Sequence, residues 1–242
     1  EMNFQYYFAQ REAVETAIWL FEHEEAKTPS SLIGYTSIDS ISPGMFEENW
    51  TRYVFKLATG VGKTKVLSLL IAWSYFHKLY EKDSDLSTNF LLIAPNIIVL
   101  ERLKEDFNSL KIFSADPVIP ENGFEGKNWK NDFNVTLHIQ DEIGTVSPIG
   151  NIFLTNIHRI FEGKQAPANT DENLTDFFLG HKPVSRTNEV VMDLGEVVRQ
   201  VSDLVVLNDE AHHIHDNSLA WFKAIENIDA SMRRRNNSKG LS

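Results

Sequence analysis

Apolar positions near the start of the chain recur at helical spacing. Ala13, Val14, Ala17, Ile18 and Phe21 form one stripe and predict an amphipathic helix over residues 10–25. Residues 28–50 carry prolines, glycines and serines and read as a loop. Residues 52–57 alternate and are rich in aromatics, which predicts a strand. Residues 66–80 are apolar almost throughout and predict a buried helix. A strand at 90–94 and a helix at 98–107 follow. Residues 134–140 alternate cleanly, as a half-exposed strand does, and 152–154 read as a core strand. A helix at 194–201 leads into a β-branched run at 204–207. Ala220, Trp221, Ala224, Ile225 and Ile228 mark a last amphipathic helix. Strands alternating with helices imply an α/β fold with a mainly parallel sheet and right-handed crossovers.

Composition narrows the class without changing the fold. The 242 residues are 42% hydrophobic, which suits one large globular domain or one domain with sizeable insertions. No run reaches the ~18 apolar residues of a membrane span, and no secretory signal opens the sequence. Neither a membrane nor a secreted setting is therefore expected, and the chain reads as cytoplasmic. There is no cysteine, so disulfides and thiolate metal sites are excluded. The net charge of −11 argues against charge-driven nucleic-acid binding, although a narrow basic track on an acidic surface stays possible.

The first candidate chemistry sits between the strand at 52–57 and the helix at 66–80. It is a glycine loop of Thr59, Gly60, Val61, Gly62, Lys63 and Thr64. Strand, glycine loop, Lys-Thr and helix form the context of a phosphate-binding loop. Glycines let backbone N–H groups turn inward and approach phosphate oxygens closely. The helix N-terminus adds its dipole. In that role Lys63 reaches the β and γ phosphates of ATP, and the Thr64 hydroxyl holds Mg²⁺. The strict pattern has glycine six residues before Lys63, where this chain has Leu57.

The second is the stretch "DLVVLNDEAHHIHD" at 203–216. An apolar run ending in adjacent carboxylates fits a solvated turn, and it equally fits a ligand-binding strand end of an open parallel sheet. The phosphate loop favours the second reading, because such a loop needs an acidic strand end. Asp209 then holds the metal, and Glu210 orients the attacking water or takes its proton.

Together these segments resemble a known family. The box Asp209-Glu210-Ala211-His212 and the loop "ATGVGKT" look like the motifs of superfamily 2 DEAH-type helicases. Their flavour is similar to the motor subunits of type III restriction enzymes. "FAQREAVETAIWLF" resembles the family's glutamine-containing helix, "NFLLIAPNIIVLERLKEDF" its motif Ia, and "NIFLTNIHRIF" its motif Ic. The motifs stand in family order from residue 8 to residue 216.

The resemblance implies a RecA-like P-loop NTPase lobe, with helices on both faces of the sheet. It assigns 1–50 to the glutamine-motif helix and a linker, and 51–242 to the first motor lobe. Lys63 and Asp209 lie farther apart than in a compact lobe, which implies insertions at about 113–150 and 163–195. The chain is expected to stop before the family's next motif, so it reads as part of a longer protein. The activity implied is ATP-dependent DNA translocation or unwinding. DNA and a modification methyltransferase subunit are the implied partners. An RNA helicase and a nucleotide-switched binding module are the alternatives.

Individual residues carry two readings each. The Gln10 carboxamide matches the N6 and N7 edge of adenine, with Tyr6, Tyr7 and Phe8 packing the base; otherwise it is a solvent-facing helix start. Pro95, Asn96 and Thr155 fit contacts to a sugar-phosphate backbone, or ordinary turn chemistry. His212 couples the nucleotide site to the next motif by resemblance, or is a packed strand-end histidine. His212, His213 and His215 lack the i, i+4 spacing of a helical zinc site. Arg233, Arg234, Arg235 and Lys239 read as a solvated basic tail.

Overall fold

A computed structural model of the chain describes residues 4–32, 35, 51–81, 83–115, 118–120, 122–139, 145–156, 201–209, 225, 227–230 and 232–234. Helix α1 (Phe8–Ile18) runs on through a π turn at Trp19–His23, and the short α2 (Pro29–Leu32) follows. Next come α3 (Lys63–Tyr80), β1 (Asn89–Ala94), α4 (Ile97–Phe107), α5 (Lys111–Ser114) and α6 (Trp129–Asp132). The strands β2 (Thr136–Ile139), β3 (Asn151–Asn156) and β4 (Val205–Asn208) complete the described elements.

The four strands form one sheet in the order β2-β3-β1-β4, and every pairing is parallel. All the strands therefore end on one side, and the carboxyl ends of β1 and β4 lie together. The register matches Ile93 with Asn208, and the Asp209 N–H extends the ladder by donating to the Ile93 carbonyl at 3.2 Å. Both faces of the central strands are buried. Phe90 and Leu92 lie on one face and Leu91 and Ile93 on the other, all of them almost inaccessible. That explains why these strands read as unbroken apolar runs.

The core cluster joins Phe90, Leu92, Ile152 and Leu154 of the sheet to Ile71 and Tyr75 of α3 and to Leu100, Leu103 and Phe107 of α4. The three α4 residues fall at i, i+3 and i+7, one face of the helix. Asn96 starts that helix, its Oδ1 accepting from the Val99 N–H at 2.9 Å. Helix α1 lays Val14 and Ala17 against Val66 and Leu70 of α3.

Two expectations need correction. Residues 52–57 form no strand, and Val54 is exposed. Alternation makes a segment fit a pleated surface, but a ladder needs an edge to pair with. The strand at 134–140 is no excursion from the fold. Its residues Thr136–Ile139 pair with β3 and form the outer strand of the central sheet.

The expected helix at 194–200, the insertion at 163–195 and the start of the last helix lie outside the described residues. Ile225 and Ile228 of that helix are helical and buried. Arg233, expected in a loose tail, is helical and pairs with Asp229 at 2.7 Å. No helix of the described residues is long and apolar enough to cross a membrane.

Candidate functional site

The glycine loop enters α3 through two left-handed residues, Gly60 with φ 82° and Gly62 with φ 76°. L side chains avoid that region, so these glycines are required by the backbone path. Gly62 is the N-cap of α3. It offers no side-chain cap, and no acidic residue stands in the first turn. Gly62 therefore gives the first N–H groups of the helix no side-chain oxygen of its own, as at helix starts that bind anions. A Cβ on Gly60 would meet nothing within 4 Å, so the loop's outer side is open. Thr59 and Gly60 are exposed, Val61 is half-buried, and Lys63 and Thr64 open the helix half-buried.

Gln10 holds this loop from α1. Its Nε2 donates to the Val61 carbonyl at 2.9 Å and approaches the Gly62 carbonyl at 3.4 Å, while its Oε1 accepts from the Tyr7 N–H at 3.0 Å. The backbone donor and acceptors fix which way the amide points. A Cβ on Gly62 would lie 2.5 Å from Gln10 Nε2, so the glycine is also what lets the carboxamide sit there. Both ends of the Gln10 amide are engaged within the protein, which is not the solvent-facing helix start. Tyr7 and Phe8 beside it are largely exposed.

Asp209 stands at the end of β4 with its side chain only 3% exposed. Its Oδ2 accepts from an Arg102 guanidinium nitrogen at 2.6 Å, across from α4. Asp106 lies one turn further along α4. Burial raises its carboxyl above the ordinary range, a rise opposed by Arg102 and Lys65 and increased by Glu105 and Asp209. The Lys65 ammonium itself donates to the Ile112 carbonyl at 3.1 Å.

The donor set fits Mg²⁺. Among the described residues no three His, Asp or Glu side chains gather as a metal cluster. Mg²⁺ does not need one, since it is usually held by one or two protein oxygens together with phosphates and water. Thr64 and Asp209 carry oxygens of the kind such a site uses.

The other sequence candidates divide. Thr155 is fully buried and its Oγ1 donates to the Asn156 carbonyl at 3.1 Å, so it presents no hydroxyl at the surface. The reason is its place inside β3, a central strand covered on both faces. The Asn96 side chain is used in capping α4, and Pro95 precedes it in the turn after β1. In this structure the Asn96 and Thr155 side chains are engaged within the chain. Glu210 and His212 lie outside the described residues, as do His213 and His215.

Arg102 was not foreseen. It is one charge on a helix face shared with Glu101, Lys104, Glu105 and Asp106, and nothing in that pattern marks the one that reaches across to Asp209.

Comparison with curated proteins and with solved structures gives no match. A family model described as "Type III restriction enzyme, res subunit" matches residues 3–234, nearly the whole chain. The all-parallel sheet, the glycine-capped helix and the acidic strand end agree with the RecA-like α/β lobe of that family. The chain belongs to the type III restriction enzyme res-subunit family, whose domain is a helicase-type P-loop ATPase motor.

Proposed function

We propose that this lobe binds ATP with Mg²⁺ at the glycine loop, and that hydrolysis there drives movement of a restriction subunit along duplex DNA. The observation that carries the reading is the pairing of two features. An α3 N-terminus whose N-cap, Gly62, offers no side-chain cap is approached through Gly60 and Gly62, and a buried Asp209 closes the β4 strand end. Each alone is common; together they supply donors for phosphate and oxygen for a cation.

The division of labour follows from the chemistry of each group. Backbone N–H groups at Thr59, Gly60, Val61 and Gly62 bind phosphate oxygens and orient the chain of phosphates. The Lys63 ammonium neutralises charge at the β and γ phosphates. Thr64 and Asp209 hold Mg²⁺, which when bound adds Lewis-acid charge at those oxygens. Glu210 accepts the proton of the attacking water through its carboxylate. Gln10 fixes the loop, and the exposed rings of Tyr7 and Phe8 offer a surface for the base. His212 is assigned the coupling role between the nucleotide and the rest of the motor. DNA, a modification methyltransferase subunit and a cytoplasmic setting belong to the same proposal through the family.

Steady-state ATP hydrolysis by the intact protein tests it, measured with duplex DNA, with RNA and with neither. Strong stimulation by duplex DNA is expected. Stimulation by RNA alone would make the protein an RNA helicase. Tight ATP binding without turnover under any condition would make the site a switch.

A further inference from the structure

Arg102 and Asp209 come from elements far apart in sequence, yet they form the 2.6 Å ion pair at the head of the sheet. The two ends of that pair are unequal. The Asp209 side chain is 3% exposed, whereas that of Arg102 is 49% exposed. A buried carboxylate without a cation nearby is costly, because burial removes its hydration. A half-solvated guanidinium loses little on release, since water takes over its hydrogen bonds. The pair therefore serves the aspartate.

The backbone beneath Asp209 is fixed by its N–H bond to the Ile93 carbonyl. The carboxylate thus stays where it is while the guanidinium, on a long flexible arm from α4, is free to leave.

We infer that Arg102 is a placeholder cation for Asp209: it neutralises the carboxylate when no metal is bound and yields that oxygen to Mg²⁺ only when the metal arrives with a nucleotide. This inference rests on the proposed ATP site. Free Mg²⁺ gains few protein oxygens here and gives up hydration reluctantly. Displacing a charge-assisted hydrogen bond for that return is unfavourable. Mg²⁺ carried on phosphate oxygens brings additional ligands and the loop's N–H contacts, which offset the loss of the pair. Arg102 thereby acts as a positioning residue. It keeps the Asp209 carboxylate oriented in the free state and sets the Mg²⁺ requirement of nucleotide binding.

The test measures binding of a non-hydrolysable ATP analogue as Mg²⁺ is varied, together with thermal unfolding in Mg²⁺ alone. Wild type is compared with Arg102→Gln, Arg102→Lys and Asp209→Asn. The Mg²⁺ concentration for half-maximal analogue binding should fall roughly tenfold in Arg102→Gln, about the worth of one charge-assisted hydrogen bond. Arg102→Lys keeps the charge and should restore most of the wild-type requirement. Mg²⁺ without nucleotide should raise the unfolding temperature of Arg102→Gln and leave that of wild type unmoved. In an Asp209→Asn background, Arg102→Gln should change neither quantity.

An unchanged or increased Mg²⁺ requirement in Arg102→Gln, with wild-type binding intact, would overturn the placeholder role. If Arg102→Gln does not fold, Arg102→Lys decides: a Mg²⁺ requirement for analogue binding far from the wild-type value has the same consequence. Absence of Mg²⁺-dependent analogue binding in wild type would instead defeat the ATP-site reading, and the inference with it.

Discussion

Gly62 satisfies two demands at once, and a single substitution exposes both. Gly62→Ala forces an L side chain into φ 76° and puts its Cβ 2.5 Å from Gln10 Nε2. The backbone part alone costs roughly 1–2 kcal/mol. Gly62→Ala should therefore lower the unfolding temperature and abolish nucleotide binding. Adding Gln10→Ala removes the clash but leaves the backbone penalty, so the double variant should recover stability only in part. Gln10→Ala by itself loses the hydrogen bond to the Val61 carbonyl and should weaken nucleotide binding with little change in stability. Denaturant unfolding and a binding titration on the same samples check all three. Lys63→Ala and Glu210→Gln separate binding from chemistry: the first should weaken both, the second should keep ATP binding and lose hydrolysis. Wild-type turnover by Glu210→Gln would remove Glu210 from the proposed role.

At the scale of elements, the opposite end of the sheet is held by polar groups. Asn89 of β1 and Asn151 of β3 are register partners, and Asn151 Nδ2 donates to Asn89 Oδ1 at 2.7 Å. Asn151 Oδ1 accepts from the Ser147 N–H at 2.8 Å and from His138 Nε2 at 2.9 Å, which puts the histidine proton on Nε2. Asp203 accepts from Ser87 Oγ at 2.5 Å just before β4. Asn151→Ala leaves several of these groups unpaired in a buried place. It should cost roughly 1–3 kcal/mol of stability without altering nucleotide affinity. Equal losses of stability and affinity would show that the two ends of the sheet are not independent.

The aromatic side chains add a pH dependence. Burial pushes the Tyr53 hydroxyl up to about 12; burial, then the hydrogen bond to Asp132, does the same for Tyr80. An unfolded tyrosine ionises near ~10. The stability these groups contribute is therefore full below that value and is lost as pH rises toward the folded value. Tyr53→Phe with Tyr80→Phe should flatten the decline in unfolding free energy between about pH 10 and 12.

Elements were legible where their own pattern decides them. The stripe of Val14, Ala17 and Phe21 and the continuous run of β1 each have one structural solution. Residues 52–57 were misread because alternation says nothing about whether the segment reaches a sheet edge. The strand at 136–139 was found, but its membership of the central sheet depends on β3, which local sequence does not specify.

Across the whole molecule, the order of the motifs carried more than any one of them. An acidic strand end far along the chain comes beside the Pro95-Asn96 turn because β1 and β4 lie side by side. The contacts that tune the site were not readable. Arg102 reaching Asp209 and Gln10 reaching Val61 both depend on how helices rest against the loop and sheet, which is tertiary information. The charge of −11 on the chain also has a consequence at this scale. Charge-driven attraction to DNA should be weak, with few counterions released on binding, so ATPase stimulation by duplex should fall only gently as salt rises. A steep fall with salt would indicate a local basic track that neutralises many phosphates.

The central claim is that the glycine loop opening α3 is a Mg²⁺-dependent ATP site, and calorimetric titration of ATP into the protein addresses it most directly. Wild type should bind in Mg²⁺ and lose most of that heat in excess chelator, while folded Lys63→Ala should show little binding in either condition. Equal binding by wild type and Lys63→Ala, or binding indifferent to Mg²⁺, would contradict the account.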